Sequence, residues 1–330
     1  MKRLIFLAAL TLVSADPLLA AGAGSDQVPP TTGETMTRYQ TLNVQRLNIF
    51  YREAGNPNAP TVLLLHGFPS SSRMYEKLMP ELARRYHVIA PDYPGFGHSD
   101  APPPETFAYT FDHLASVIDA FSQQLGLHHY TLFVQDYGGP VGFRLAFMHP
   151  DRIDAIVVQN AVAHEEGLGP LWQTRREYWA NREAYADKLR ANLISFDAAK
   201  QRHLGTDPHP ELYDPDLWTD EAAFLNRPGE GRIQEDLFYD YRTNVAAYPK
   251  WQSYLKTYHP PMLVVWGKYD PSFTVAGAWA YKQDVPDAEV HILDAGHFAM
   301  DTKGAEVAEI TLQFLDMQHA RMTRVQGNTP

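Results

Sequence analysis

Val134-Gln135-Asp136-Tyr137-Gly138-Gly139 follows a strand-like apolar run at 130–135 and precedes a helical stretch that opens at Pro140. A side chain at the apex of so tight a strand-to-helix turn is pushed out of the sheet, and small residues behind it let the following helix pack close. The apex holds a carboxylate, Asp136. With an ordinary pKa near ~3.9 it is already anionic at neutral pH and needs no base before it attacks. Such an oxygen can displace a leaving group from a saturated carbon and form an alkyl ester on the enzyme. That ester must then be hydrolysed, which calls for a base, a group to orient it and donors for an oxyanion.

Toward the C-terminus, Asp294-Ala295-Gly296-His297 ends the last strand-like run. Histidine suits the base, because its ordinary pKa near ~6.5 leaves neutral imidazole available to take a proton from water. Trp266-Gly267-Lys268-Tyr269-Asp270 ends the preceding strand in a loop that carries an acid, so Asp270 is expected on the same sheet edge as His297. Toward the N-terminus, His66-Gly67-Phe68-Pro69 directly follows another strand-like run. Two backbone N–H groups are needed for the oxyanion, and those of Phe68 and Tyr137 are placed to supply them.

The intervening sequence alternates short apolar runs with amphipathic stretches. Strands are expected at 47–53, 61–66, 88–92, 130–135, 153–159, 262–266 and 290–293, and helices at 72–85, 110–125, 140–149, 275–283 and 304–318. Alternation of this kind implies an α/β fold with a doubly wound, mostly parallel sheet covered on both faces. It breaks at 161–259, where Trp, Tyr and Arg recur at helical spacing, so a helical cap is expected to be inserted there, between core segments 38–160 and 260–318. Residues 1–23, with a basic start, an apolar stretch and small residues from Ala20 to Ala23, read as an export signal and imply a periplasmic or secreted protein. Residues 24–37 read as a flexible leader and 319–330 as a tail.

A formal charge of −11 with no basic run longer than a pair speaks against nucleic acid. The absence of cysteine excludes disulfides, thiolate metal sites and a thiol nucleophile. His128-His129 lacks the spacing of a chelating pair, and Gly95-Phe96-Gly97 lacks the third glycine of a dinucleotide fingerprint. No metal or cofactor is expected. Arg175, Arg176 and Arg182 share an expected cap helix and read as a solvated face.

Together, His66-Gly67-Phe68-Pro69, Asp92-Tyr93-Pro94-Gly95-Phe96-Gly97-His98-Ser99, Gln135-Asp136-Tyr137-Gly138-Gly139, Gly267 to Asp270 and Gly296-His297 resemble, in order, the α/β-hydrolase superfamily and within it the epoxide hydrolase and haloalkane dehalogenase branch. The resemblance spans roughly 38–315 and is weak in the cap. It implies the α/β-hydrolase fold, in which nucleophile, acid and histidine follow in that chain order. Val134 departs from it, standing where many relatives keep Gly.

The resemblance further implies that cap tyrosines donate to an oxirane oxygen. Tyr241, in Tyr239-Asp240-Tyr241-Arg242, resembles one such residue, and Tyr178 is the choice for the other, with Tyr239, Tyr185 and Tyr254 as rivals. Haloalkane dehalogenases hold halide with N–H donors after the nucleophile and in the oxyanion loop, where this chain has Tyr137 and Phe68. Fluoroacetate dehalogenases place Arg after the nucleophile to grip a carboxylate, which Tyr137 cannot do. The expectation is an epoxide hydrolase acting on a small, apolar epoxide without membrane insertion. The alternatives are a dehalogenase with the same triad and a non-catalytic cap-pocket protein.

Overall fold

The computed structural model describes residues 35–327. The expected export signal and most of the expected leader lie outside the described residues. Strands form at β1 (Arg38–Val44), β2 (Leu47–Ala54), β3 (Thr61–Leu65), β4 (His87–Pro91), β5 (Tyr130–Gln135), β6 (Ile153–Gln159), β7 (Met262–Gly267) and β8 (Glu289–Leu293). They join in one sheet in the order β1-β2-β4-β3-β5-β6-β7-β8, antiparallel from β1 through β2 to β4 and parallel from β4 to β8. The central strands are apolar throughout because both faces are covered: β5 and β7 are buried at every residue. Alternation along β3 sends Leu63 and Leu65 to one face, with Phe121, Val141 and Phe143, and Val62 and Leu64 to the other, with Val307 and Phe314.

The helices of the core are α1 (Met79–Leu82), α2 (Phe111–Gln124) and α3 (Gly138–Met148) before the cap. The cap contributes α4 (Trp172–Ala180), α5 (Arg182–Leu193), α6 (Phe196–Leu204), α7 (Asp216–Leu225) and α8 (Glu230–Tyr258), and the core resumes with α9 (Val275–Ala280) and α10 (Ala299–Gly327). Two expected helices differ. Residues 72–85 form a single 3₁₀ turn, Ser72–Tyr75, and then the short α1, because Pro80 in its first turn has no N–H to bond back into a continuous helix. The last helix runs from Ala299 to Gly327 rather than over 304–318, so residues 319–327 of the expected tail are helical, and its axis changes at Lys303, where φ is −121° and ψ 24°. Strand β1, which no sequence signal marks, is an edge strand with most residues exposed, so it carries little apolar pattern. No helix among the described residues is long and apolar enough to cross a membrane.

Parallel strands carry their C-terminal ends to one edge, so the loops after β3, β5, β7 and β8 converge there. The cap folds over that edge. It is tied to the core by Asp240 of α8, whose carboxylate accepts from the backbone N–H of Phe111 at 2.8 Å, and by Arg144 of α3, which donates to Asn244 at 2.8 Å.

Candidate active site

Asp136 follows β5 with φ +46°, a left-handed conformation that costs a non-glycine residue about 1–3 kcal/mol and is the mark of a sharply turned apex. The turn is closed by the Gly139 N–H donating to the Asp136 carbonyl at 3.0 Å. Two close approaches make it possible. A Cβ at Gly67 would lie 2.1 Å from Gln135 Oε1 and 2.4 Å from the Asp136 Cβ, so only glycine lets the loop after β3 pass beside the nucleophile. A Cβ at Gly142 would lie 2.5 Å from Val134 Cγ1. The unusual Val134 is thus accommodated by the absence of a side chain one turn into α3.

The Phe68 N–H donates to Asp136 Oδ1 at 2.9 Å. Burial raises the Asp136 pKa above the ordinary carboxylate value, and His297, the backbone N–H groups of Phe68 and Tyr137, and Arg202 oppose that rise. The two N–H groups expected to form an oxyanion hole therefore both act on this carboxyl group. The loop bearing Phe68 is anchored by His66, which burial keeps neutral by lowering its pKa to about 4, and whose Nε2 accepts from the Tyr93 N–H at 3.2 Å.

His297 Nε2 lies 3.6 Å from Asp136 Oδ2, and Nδ1 lies 2.7 Å from Asp270 Oδ2. Burial disfavours the imidazolium, but the charge and hydrogen bond of Asp270 and the charge of Asp136 outweigh it, so the pKa is raised. Gln135 Nε2 stands 3.0 Å from His297 Nε2, which makes that nitrogen the acceptor and leaves Nδ1 to donate to Asp270. Asp270 is itself saturated: Oδ1 accepts from the N–H groups of Ser272 (2.7 Å) and Phe273 (3.0 Å), and Oδ2 also accepts from Asn160 Nδ2 (2.7 Å). An acid held by four donors stays where it is and fixes the imidazole. Gln135 and Asn160 belong to this site, and their places at the ends of β5 and β6 are the only sequence signal that points to them.

Asp136, His297, Phe68, Tyr137 and Tyr241 line one small cavity with Trp172, Arg175, Arg202, Phe238, Ser272 and Phe273. Its free space is about 10 Å³, roughly one water molecule. Tyr241 is 1% exposed, and its hydroxyl lies beside that of Tyr248, close enough for each phenol to shift the other's pKa but without the geometry of a regular hydrogen bond. Its ring is held by Trp172, with centroids 4.6 Å apart, and Phe111, 5.6 Å. Arg242 beside it points away, over the ring of Tyr239 at 3.7 Å.

The structure does not bring Tyr178 to this cavity. Its hydroxyl donates to the Glu235 carbonyl at 3.1 Å, between α4 and α8. Tyr178 and Trp179 are adjacent on α4, so the helix cannot turn both rings to one side; Trp179 stacks parallel to Tyr241 instead. Tyr239, Tyr185 and Tyr254 do not line the cavity either. A second phenol without a regular hydrogen bond does, and it is that of Tyr137 itself.

The expected solvated arginine face holds for Arg176, exposed and 2.9 Å from Glu165, and for Arg182, which pairs with Asp236. It fails for Arg175. Three residues after Trp172, Arg175 shares that residue's inward face, its guanidinium 4.4 Å from the Trp172 ring centroid. Arg202 of α6, which no motif marks, lies 4.5 Å over the Phe68 ring. Among the described residues no cluster of three or more His, Asp or Glu is arranged to hold a metal ion.

Comparison with known proteins agrees with this geometry. A family model described as the alpha/beta hydrolase fold matches residues 60–304. An uncharacterized hydrolase of Saccharomyces cerevisiae is 41% identical over 281 residues, covering 83% of this chain and 96% of that protein. A haloalkane dehalogenase of Mycobacterium marinum is 30% identical over 283 residues, covering 80% and 87%. Among solved structures, the epoxide hydrolase CorEH superposes with a TM-score of 0.69 at 19% identity, covering 85% of this chain and 99% of that one.

Proposed function

This chain belongs to the α/β-hydrolase family, in its dehalogenase and epoxide hydrolase branch, and we propose that it opens epoxides to vicinal diols through an alkyl ester on Asp136. An Asp136 carboxylate oxygen attacks a ring carbon from behind, the ring C–O bond breaks, and the oxygen takes a proton from Tyr241. Water, deprotonated by His297, then attacks the ester carbonyl, whose oxyanion the N–H groups of Phe68 and Tyr137 receive. The acyl C–O bond breaks, the departing alkoxide takes the first water proton back from His297, and the diol is released. The second water proton returns to Tyr241 by way of His297, so each cycle consumes one water.

The observation that carries this reading is the Tyr241 hydroxyl, buried in the cavity that holds Asp136, beside the Tyr248 phenol but in no regular hydrogen bond. Burial raises its pKa well above the ordinary phenol, so it is present as a neutral O–H donor. An alkoxide leaving group is strongly basic and needs such a donor, whereas a halide needs only N–H contacts. Of the cavity's side-chain N–H donors, the Trp172 indole already donates to the Ser272 carbonyl at 3.0 Å, which leaves those of Arg175 and Arg202.

Dehalogenation is the second reading, favoured by the relatives that carry the haloalkane dehalogenase name. Purified enzyme incubated with styrene-type and aliphatic epoxides beside haloalkanes, with diol and halide measured separately, decides between them. Diol without halide supports the epoxide reading; halide release without diol overturns it. We further place the protein in the periplasm or outside the cell on the strength of residues 1–23, a proposal that N-terminal sequencing of the secreted or periplasmic fraction would check.

A further inference from the structure

Four donors in no regular hydrogen bond surround the nucleophile. Besides the phenols of Tyr137 and Tyr241, the Nη1 atoms of both Arg175 and Arg202 are buried without a hydrogen bond, and neither guanidinium forms an ion pair among the described residues. Each residue is partly exposed overall, but its Nη1 atom is shut off from water and would normally stand against a carboxylate. Here each is held only by the faces of aromatic rings, Trp172 under Arg175 and Phe68 under Arg202, which fix the guanidinium plane and leave its edge free. Burial lowers the pKa of both, that of Arg202 to about 10, yet each stays charged at neutral pH. Asp136 is the one carboxylate of the cavity lining, since Asp270 lies behind His297 and is filled by its own donors. Glu221 lies near Arg202 but is taken up by His203, so no carboxylate meets the unpartnered Nη1 of either guanidinium.

The place of the two arginines is specific. A second, open cavity of about 700 Å³ lies between cap helices α4 to α6 and the loop after β7, has Asp197 on its wall, and shares Arg175, Arg202 and Ser272 with the inner one. The guanidiniums therefore stand at the passage through which a substrate reaches Asp136. The inner space, about 10 Å³, is that of a single water molecule and leaves no room beside the reacting carbon for a further group. A substituent on that carbon must lie back toward the passage, against the arginines.

We propose that Arg175 and Arg202 together bind the carboxylate of an anionic substrate, which makes the enzyme selective for short 2,3-epoxy carboxylates over neutral epoxides. This assignment rests on the epoxide-opening reading for its leaving group, and on the arginines alone for its charge. The phenols take the ring oxygen, the guanidiniums take the carboxylate, and every orphaned donor is satisfied. The product is a 2,3-dihydroxycarboxylate, formed with the bond changes and the single water already described.

The test compares glycidate with 1,2-epoxypropane, which has the same carbon count and no charge, in wild type and in the R175Q and R202Q variants. The wild-type kcat/KM for glycidate is expected to exceed that for 1,2-epoxypropane by about 100-fold, and each substitution to narrow that ratio at least about 10-fold, chiefly through KM. Equal or faster turnover of 1,2-epoxypropane by the wild type overturns the proposal while leaving epoxide opening intact. Binding provides a readout independent of turnover: calorimetry of glycidate with D136N, and with D136N carrying R175Q or R202Q. Saturable binding that weakens at least about 10-fold in both double variants supports the carboxylate site even if no diol forms, in which case only the epoxide reading falls. Binding that is absent from D136N, or unchanged by both arginine substitutions, overturns the site.

Discussion

His203 of cap helix α6 and Asp301 of core helix α10 meet with Nδ1 and Oδ2 2.7 Å apart, four residues beyond the catalytic His297. The other ring nitrogen of His203 lies 2.9 Å from Glu221 of α7. One imidazole, 2% exposed, thus joins two cap helices to the helix that follows the active site, and it is the neighbour in sequence of Arg202.

That arrangement fixes a pH dependence. Burial disfavours the His203 cation, but Glu221 and Asp301 outweigh it and raise the pKa from 6.5 to about 10. A group whose folded pKa is raised stabilises the fold fully below its unfolded pKa, and the contribution is lost as pH rises through the folded value. His203→Gln leaves two buried carboxylates without their cation, which costs roughly 3–5 kcal/mol, or a Tm lower by about 6 °C or more. Thermal melts should show this gap between wild type and variant in full at about pH 6, and the gap should shrink steadily as pH rises from 6.5 to about 10. A gap that is constant with pH would show that His203 contributes only by packing.

Tyr241 and Tyr178 separate a chemical hydroxyl from a structural one. Tyr241→Phe removes an O–H that makes no regular hydrogen bond and only neighbours the Tyr248 phenol, so stability should change little while kcat/KM for epoxides falls about 10- to 1,000-fold. Tyr178→Phe removes a bond to the Glu235 carbonyl, so it should cost about 1 kcal/mol of stability and leave kcat within about twofold. Steady-state kinetics beside denaturant melts of the two variants read both quantities. The reverse pattern would move the proton donor to α4.

The two steps on Asp136 should respond differently to acid. Alkylation needs the ionised carboxylate and is lost only as pH falls through the Asp136 pKa, which is raised but belongs to a carboxyl group. Ester hydrolysis needs neutral His297, whose pKa is raised above the ordinary imidazole value, so it slows at a higher pH. Esterification removes the Asp136 charge and with it one of the causes of that rise, while Asp270 remains. Intact-protein mass spectrometry during turnover should therefore find more alkylated enzyme at about pH 5.5 than at about pH 8.5. His297→Gln should trap the ester at every pH; a variant that carries no added mass after exposure to substrate would remove Asp136 as the nucleophile.

Much of this was legible in the sequence, for a physical reason. The catalytic triad and the oxyanion N–H groups sit where a strand ends, and a buried parallel strand is the strongest local pattern a chain can show. Asp136, Asp270, His297, Phe68 and Tyr137 each follow such a run, and a parallel sheet brings those ends to one edge whatever the helices do. The cap gives no such guarantee. Tyr178 and Trp179 are neighbours on one helix, and only tertiary packing decides which ring turns inward. Arg175 differs from Arg176 by one helical step, one facing Trp172 and the other solvent, and a charged residue gives no sign of which. Arg202 is one of four consecutive polar residues, Lys200 to His203, which give no sign of which turns inward. β1 escaped because an exposed edge strand needs little apolar side chain.

The Val134–Gly142 contact yields a prediction about packing alone. Val134 fills the space that Gly142 leaves on α3, so the two positions share one volume. Gly142→Ala places a methyl group 2.5 Å from Val134 Cγ1 and should destabilise the protein by about 1–3 kcal/mol, although alanine is otherwise the better helix former. In a Val134→Ala background the obstacle is gone, and the same substitution should be neutral or stabilising by up to about 1 kcal/mol. A double-mutant cycle from denaturant melts measures the difference. Simple additivity would mean that the contact is relaxed elsewhere, for instance by a shift of α3, and kinetics on the single variant would then report whether that shift reaches Tyr137 and the oxyanion N–H at the start of the same helix.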